Sequence, residues 1–553
     1  MTKPFQQFCA LPRALPLALV GVTLFFASPT ASVCAQSSRP ASAHTSSARN
    51  ASAADAAFIV RTTAGTLRGK ARPGGGAEFL GVPYGQPPVG PLRWREPVPA
   101  KPWSAVRNAN AFGAPCAQPE LGDWNRHDAE NGREDCLYLN VITPTWPVKK
   151  PLPVMFFIHG GANEGGSGTG DLYNSGTLVD HGVVLVTINY RLGIFGFFAH
   201  PDLSSESSHH ASGNYGLMDQ ILALHWVRAN IARFGGDPQN VTVFGQSAGA
   251  IDTGLLMTSP IGAPLFQKAI AESGSAFTVP LATLADAEAK GQELAQDLEA
   301  LDQEDPIVFL RQVPAPQLLA TIQSLDTKLR PRIGPIVDGW VVSRLPASVF
   351  AAAQESPIPL LFGTTTREFG DSESPDQLHV LIKQATGGLA PRVLDAYGLA
   401  NGDTVTDDPK YGTIADQWAA DVAFRCPAVV QAEWHTAAHH AVYQYELDHP
   451  IPGQENAIHS SDLSYVFGFY PKIGNLAGAY TDVDFKLADL IETYFTNFAK
   501  TGDPNATGLP QWPQFGIAQA YIQFMPDGSV APAAKMRSTQ CSVYRDFLNE
   551  QLH

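Results

Sequence analysis

The chain has no sustained block of lysine or arginine: 37 Lys and Arg against 52 Asp and Glu leave a formal net charge of −15 over 553 residues. A surface of that sign repels a phosphate backbone, which excludes nucleic acid as a partner. No stretch reaches the ~20 consecutive apolar residues that a transmembrane helix needs. H-E-x-x-H and paired C-x-x-C spacings are also missing, which argues against a zinc site, and no organic cofactor is expected either. Cysteine is scarce, with six in the chain. Apolar content is ample: 44% hydrophobic residues over this length can bury a large core.

The first 35 residues read as an export signal. Lys3 and Arg13 precede a mostly apolar run from Ala14 to Ala27, and Val33-Cys34-Ala35 supplies small residues at a cleavage site, which predicts a mature start near Gln36. A lipid-attachment reading of Cys34 is weaker, because Ala31-Ser32-Val33 lacks the usual leucine. Residues 36–57 are small, polar and without period, as in an unstructured leader, which leaves 58–553 for the fold. The expected mature chain is soluble, with a secreted or periplasmic address. Cleavage removes Cys9 and Cys34 and leaves Cys116, Cys136, Cys426 and Cys541; an even number of thiols in an exported chain favours disulfides over free buried cysteines.

The most informative stretch is Val241-Thr-Val-Phe-Gly-Gln-Ser-Ala-Gly-Ala250. The β-branched and aromatic VTVF predicts a buried strand, while Ala248, Ile251 and Leu255 recur at helical spacing until Pro260. A strand therefore hands over to a helix at Ser247. So sharp a reversal strains the serine backbone, and Gly245 and Gly249 remove side chains that would collide with neighbouring backbone. This is the pattern of a nucleophile elbow, although on its own it is also compatible with glycines that merely allow a helix to pack closely on a strand.

The flanks discriminate. Residues 214–249, NYGLMDQILALHWVRANIARFGGDPQNVTVFGQSAG, resemble the type-B carboxylesterase/lipase family, which includes the cholinesterases. Further ordered blocks carry the same resemblance: FLGVPYGQPPVGPLRW (79–94), EDCLYLNV (134–141), NYRLGIFGF (189–197), IVDG (336–339), HSSDLSYVFG (459–468) and FAKTGDPN (498–505). The resemblance implies an α/β-hydrolase fold in one large domain, with a mixed, mostly parallel sheet flanked by helices and long insertions that form an active-site gorge. It implies a serine carboxylic-ester hydrolase that acts through an acyl-enzyme on a small-molecule ester.

A serine hydroxyl needs a base and a group to orient that base. Fifteen histidines compete for the first role. His459 is selected because NAIHSSDLSYVFG resembles the family block that presents the catalytic histidine; His225, His439 and His440 are read as structural. PLLFGTTTREFG resembles the block that carries the acid and aligns Glu368 with it, while Asp371 and Glu373 would need a shifted alignment. The order Ser247, Glu368, His459 suits an α/β-hydrolase. His159-Gly-Gly-Ala-Asn163 resembles the glycine-rich oxyanion loop, so the N–H groups of Gly161, Ala162 and Ala248 are the implied donors. The resemblance also pairs Cys116 with Cys136 and Cys426 with Cys541.

Departures from the family pattern bear on specificity. Gln246 stands where glutamate usually precedes the nucleophile, Ala162 replaces a third glycine, and Asn163 replaces a bulky aromatic. A less anionic pocket weakens a choice for quaternary ammonium, even though Trp124 lies in the segment where cholinesterases keep a cation-binding tryptophan; gorge wall or packing is the reading adopted for it. Asp252 replaces a common serine, and nothing in the sequence accounts for it. The rival functions are an interfacial lipase, which would need a long apolar lid, and a non-catalytic adhesion protein, which would typically have lost the serine. Natural substrate, acyl preference and oligomeric state are not encoded legibly.

Overall fold

The computed structural model describes residues 58–298, 300, 303–325, 333–370, 374–400 and 406–552. The export signal, the leader, and the rival acids Asp371 and Glu373 lie outside the described residues.

Among these residues one large sheet is built from β1 (Lys70–Ala71), β2 (Ala77–Pro83), β3 (Tyr138–Thr143), β4 (Leu152–Ile158), β5 (Val184–Ile188), β6 (Gly236–Gln246), β7 (Lys268–Glu272), β8 (Leu360–Thr365), β9 (Val442–Leu447), β10 (Ala520–Phe524) and β11 (Val530–Ala534). Across the sheet the order is β11-β10-β9-β8-β7-β6-β4-β5-β3-β2-β1. Strands from β10 to β5 run parallel, and antiparallel pairs close both edges. The mixed, mostly parallel architecture that the resemblance implies is the one observed.

Sequence explains why these segments are strands buried on both faces. β4 reads LPVMFFI and β5 reads VLVTI, near-continuous apolar runs of the kind a covered parallel sheet requires. Alternation sends Val154, Phe156 and Ile158 into one core and Met155 and Phe157 into the other. The first core is covered by α1 (Tyr215–Asn230), α2 (Ala248–Thr258) and α3 (Cys426–Ala437). The second is covered by α4 (Asp482–Thr501), whose Leu487, Ile491, Tyr494, Phe495 and Phe498 recur at helical spacing.

Parallel strands bring all their carboxyl ends to one edge, where α/β proteins place their sites. Gln246, Glu272 and Thr365 end β6, β7 and β8 there. The connections 273–359 and 366–441 are long, and the segments just past the strand ends carry the candidate polar residues.

Two disulfides are present among the described residues. Cys116–Cys136 closes a 20-residue separation around Trp124. Cys426, at the start of α3, joins Cys541 in the C-terminal helix α5 (Ser538–Leu552) across 115 residues. The longer loop restricts the unfolded chain more, so the chain-entropy argument assigns about 3 kcal/mol to the first bridge and about 4–5 kcal/mol to the second. Replacing Cys426 and Cys541 by Ala is expected to lower the urea midpoint more than replacing Cys116 and Cys136, and protein processed near Gln36, which lacks Cys9 and Cys34, should expose no alkylatable thiol when unfolded without reductant.

Candidate active site

β6 ends at Gln246, α2 begins at Ala248, and Ser247 between them has φ +57° and ψ −123°. Such a conformation costs an ordinary residue about 1–3 kcal/mol and persists only where its surroundings enforce it. Here the Ser247 N–H donates to the Glu272 carbonyl at 2.8 Å, and its own carbonyl accepts from Ala250 and Ile251 at 2.9 and 3.0 Å. The glycines are required: a Cβ on Gly245 would lie 2.4 Å from the Gly249 carbonyl oxygen, and one on Gly249 2.0 Å from that of Ile158.

Glu368 and His459 come from the loops after β8 and β9, and backbone bonds clamp these loops together. Arg367 N–H donates to the Ala457 carbonyl and His459 N–H to that of Glu368, both at 3.0 Å. In the side chains, His459 Nδ1 lies 2.6 Å from Glu368 Oε2. The other carboxylate oxygen accepts from Ser273 Oγ and Thr365 N–H, each at 2.8 Å. A carboxylate there fixes the proton on Nδ1 and leaves the Nε2 lone pair as an acceptor. Gln246 Nε2 occupies it at 3.2 Å. The imidazole also packs against the rings of Phe369 and Phe424, with centroids at 4.4 and 4.8 Å.

The glycine-rich loop leaves β4 and folds against this elbow. Gly160 is there because its Cβ would meet that of Ser247 at 2.9 Å. Gly161, Ala162 and Asn163 follow with φ of +107°, +58° and +59°, so three successive residues occupy left-handed space. Among the described residues, the N–H groups of Gly161, Ala162 and Ala248 have no hydrogen-bond acceptor. His159 is buried beneath them and stacks on Tyr190 at 4.5 Å. Burial pulls its imidazole down to about 4, so it is neutral. The half-exposed indole of Trp124 leans on the loop: its Cη2 lies 3.1 Å from where a Gly161 Cβ would stand.

Other sequence candidates fall elsewhere. His225 is exposed on α1 and His439 is exposed after α3, away from the elbow. Thus the structure brings Ser247, Gln246, Glu368, His459 and the 159–163 loop to one place.

The family model for carboxylesterases matches residues 56–543. Fumonisin B1 esterase of Sphingopyxis macrogoltabida is 37% identical over 457 residues, covering 79% of this chain and 81% of the relative. Liver carboxylesterase of Sus scrofa is 34% identical, covering 88% and 91%. Among solved structures, a carboxylesterase of Geobacillus stearothermophilus superposes with a TM-score of 0.77 at 31% identity, covering 88% of this chain and all of the other. This chain belongs to the carboxylesterase family. Its reaction class is carboxylic-ester hydrolysis, and no helix among its described residues is long and apolar enough to cross a membrane.

In this carboxylesterase two departures noted separately in the sequence are one feature. Asn163 Nδ2 donates to Asp252 Oδ1 at 3.0 Å, and Gln220 Nε2 donates to Asp252 Oδ2 at 2.6 Å. Asp252 on α2 therefore holds the glycine-rich loop through Asn163, a residue type that tolerates left-handed backbone. Sequence reasoning missed this role. The available signal was a lone acid within AGAIDTGLLMT, where every neighbour is small, apolar or hydroxylated and an ionisable group must find buried partners. Ser273, Phe369 and Phe424 were likewise missed.

Burial also governs the charge at this edge. Asp252 is pushed up to about 7, Asp462 to about 6, and Glu272 well above the usual carboxylate range, in each case chiefly by desolvation. The edge thus carries less negative charge near neutral pH than its residue count suggests. A raised carboxyl pKa costs folded stability progressively as pH climbs from the unfolded value toward the folded one. Asp252→Asn removes that cost. Its stability relative to wild type is expected to improve from pH 5 to pH 7, by at most about 1.4 kcal/mol per pH unit, and to level off above pH 8; denaturant titrations at each pH give the comparison, and a pH-independent difference contradicts the raised value.

Proposed function

We propose that this carboxylesterase works through a Ser247–His459–Glu368 triad and an acyl-enzyme. The observation that carries this reading is the Glu368–His459 pair, whose orientation leaves Nε2 as an acceptor beside the elbow that exposes Ser247. Ser247 Oγ attacks the ester carbonyl while His459 Nε2 takes its proton and returns it to the leaving alcohol; Glu368 holds the ring and stabilises the imidazolium. The N–H groups of Gly161, Ala162 and Ala248 receive the oxyanion, typically worth a few kcal/mol of barrier each. Water then repeats the sequence on the acyl-enzyme. His459 Nε2 is engaged by Gln246 in the free protein, and substrate entry releases that bond so that Ser247 can use the lone pair.

A small recess beside the glycine-rich loop is walled by Leu192, Ile194, Leu319, Ile322 and Ile333 with Glu164 and Gln323 at its edge. Quaternary ammonium is disfavoured by the neutral amide of Gln246, which supplies no charge to attract it. The relative named for fumonisin B1 makes that ester a candidate to be assayed. The two disulfides suit export by the signal expected at the N-terminus. Retention of nucleophile, base, acid and loop argues against a purely adhesive role.

Ser247→Ala is expected to lower turnover by several orders of magnitude without altering the fold, because triad members act as a unit. A phosphonate should label Ser247 in the wild type, and a panel of esters that varies acyl length and charge, with fumonisin B1 included, reads the substrate class. Labelling at another serine, or an active alanine variant, refutes the triad.

Gln246→Glu supplies a second test. A carboxylate in place of the amide 3.2 Å from Nε2 stabilises the imidazolium, whereas catalysis needs the neutral ring. The acidic limb of log(kcat/KM) for a neutral ester is therefore expected about one pH unit higher in the variant, with cationic esters gaining relative to anionic ones. An unmoved limb, or one displaced to lower pH, contradicts the role given to Gln246.

A further inference from the structure

A second cluster lies at the opposite ends of the strands. Glu355 and Ile358 precede β8, while His435 in the last turn of α3 and His440 in the connection to β9 approach them. Glu355 is 5% exposed, His435 is fully buried, and His440 is partly open to solvent. Their candidate ligand atoms all fall within 4.8 Å of one another.

We propose that Glu355, His435 and His440 bind a divalent first-row transition metal, Zn2+ foremost, at the amino-terminal ends of β8 and β9. His435 Nε2–H donates to the Ile358 carbonyl at 2.8 Å, which turns Nδ1 toward Glu355 Oε1; that contact, at 2.7 Å, holds a proton that an entering metal displaces to solvent. Glu355 Oε2 is buried with no partner among the described residues. His440 Nε2 points at the same carboxylate, 4.0 Å from Oε1, and the two imidazole centroids are 4.5 Å apart.

Two imidazoles and a carboxylate form a ligand set suited to Zn2+, Co2+ or Ni2+, with metal–ligand distances of about 2.0–2.2 Å. Adjacent ligands around a tetrahedral ion are then about 3.4 Å apart. The His435–Glu355 pair must open slightly and His440 must swing inward; His440 sits on a connecting segment that wraps the helix end, its N–H bonded to the His435 carbonyl at 3.2 Å. The carboxyl end of a twelve-residue helix also favours a cation there. A bound ion would pin the segment before β8 to the end of α3 and the entry to β9. The competing arrangement is an ion pair in which a proton remains on Nδ1 and no metal enters.

The test uses full-length protein stripped with a chelator. Zn2+ titrated by calorimetry is expected to bind at one per chain and to raise Tm, and Co2+ to develop the visible absorption of a tetrahedral nitrogen/oxygen site. His440→Ala leaves the buried pair intact, so it should keep the metal-free Tm while weakening Zn2+ at least ~10-fold and abolishing the Co2+ spectrum; Glu355→Gln should weaken Zn2+ as well. Wild-type protein that takes up no Zn2+ at millimolar concentration, or that binds it equally well after His440→Ala, overturns the proposal and leaves the ion pair.

Discussion

Two backbones meet almost without intervening side chains where the end of β4 touches the start of α2, and the arrangement of the candidate site depends on that contact. The Ile158 carbonyl stands 2.0 Å from the place a Gly249 Cβ would occupy, and Gly160 leaves similarly little room beside Ser247. Larger residues would push the helix off the strand. The glycine-rich loop would then move away from the elbow, and Ser247 would lose the crowding that holds it at φ +57°. One steric condition thus sets the conformation of Ser247, the position of the N–H groups beside it, and the direction of α2 across the sheet.

Electrostatics adds a second layer. Neutral amides stand in two places around Ser247: Gln246 donates toward His459, and Asn163 ties the loop to Asp252. Asp252 is in turn held by Gln220 from α1, so a covering helix reaches the loop through a buried acid. Each amide has directional donors and no net charge, which positions neighbours without adding a field that would favour cations in the pocket. The buried carboxyls behind them are biased toward their protonated forms by desolvation, which keeps the same edge close to neutral.

Strand polarity divides the labour. The carboxyl ends of β6 to β9 and the loops that leave them present Ser247, Glu368 and His459, while the amino ends of β8 and β9 carry the Glu355–His435–His440 cluster and abut the helix that Cys426 fastens to Cys541. The cluster thus sits at the carboxyl end of α3, while the bridge at the amino end of the same helix lies two residues from Phe424, which packs on His459.

The sequence by itself determined what depends on near neighbours. The run VTVF could be read as a buried strand, and glycines flanking Ser247 at two residues' distance could be recognised as a sharp turn because the steric demand is local. Similarity of ordered blocks pointed to Glu368 and His459, yet no local rule singles out one histidine of fifteen. What only the tertiary structure decided are the pairings across long separations: His459 with Glu368 at 91 residues, Asn163 with Asp252 at 89, Gln246 with His459 at 213, and Glu355 with His435 at 80. The physical reason is that strand order and crossover connections set which loop ends become neighbours. A hydrogen bond requires its two atoms within about 3 Å, a condition that residue spacing along the chain does not contain.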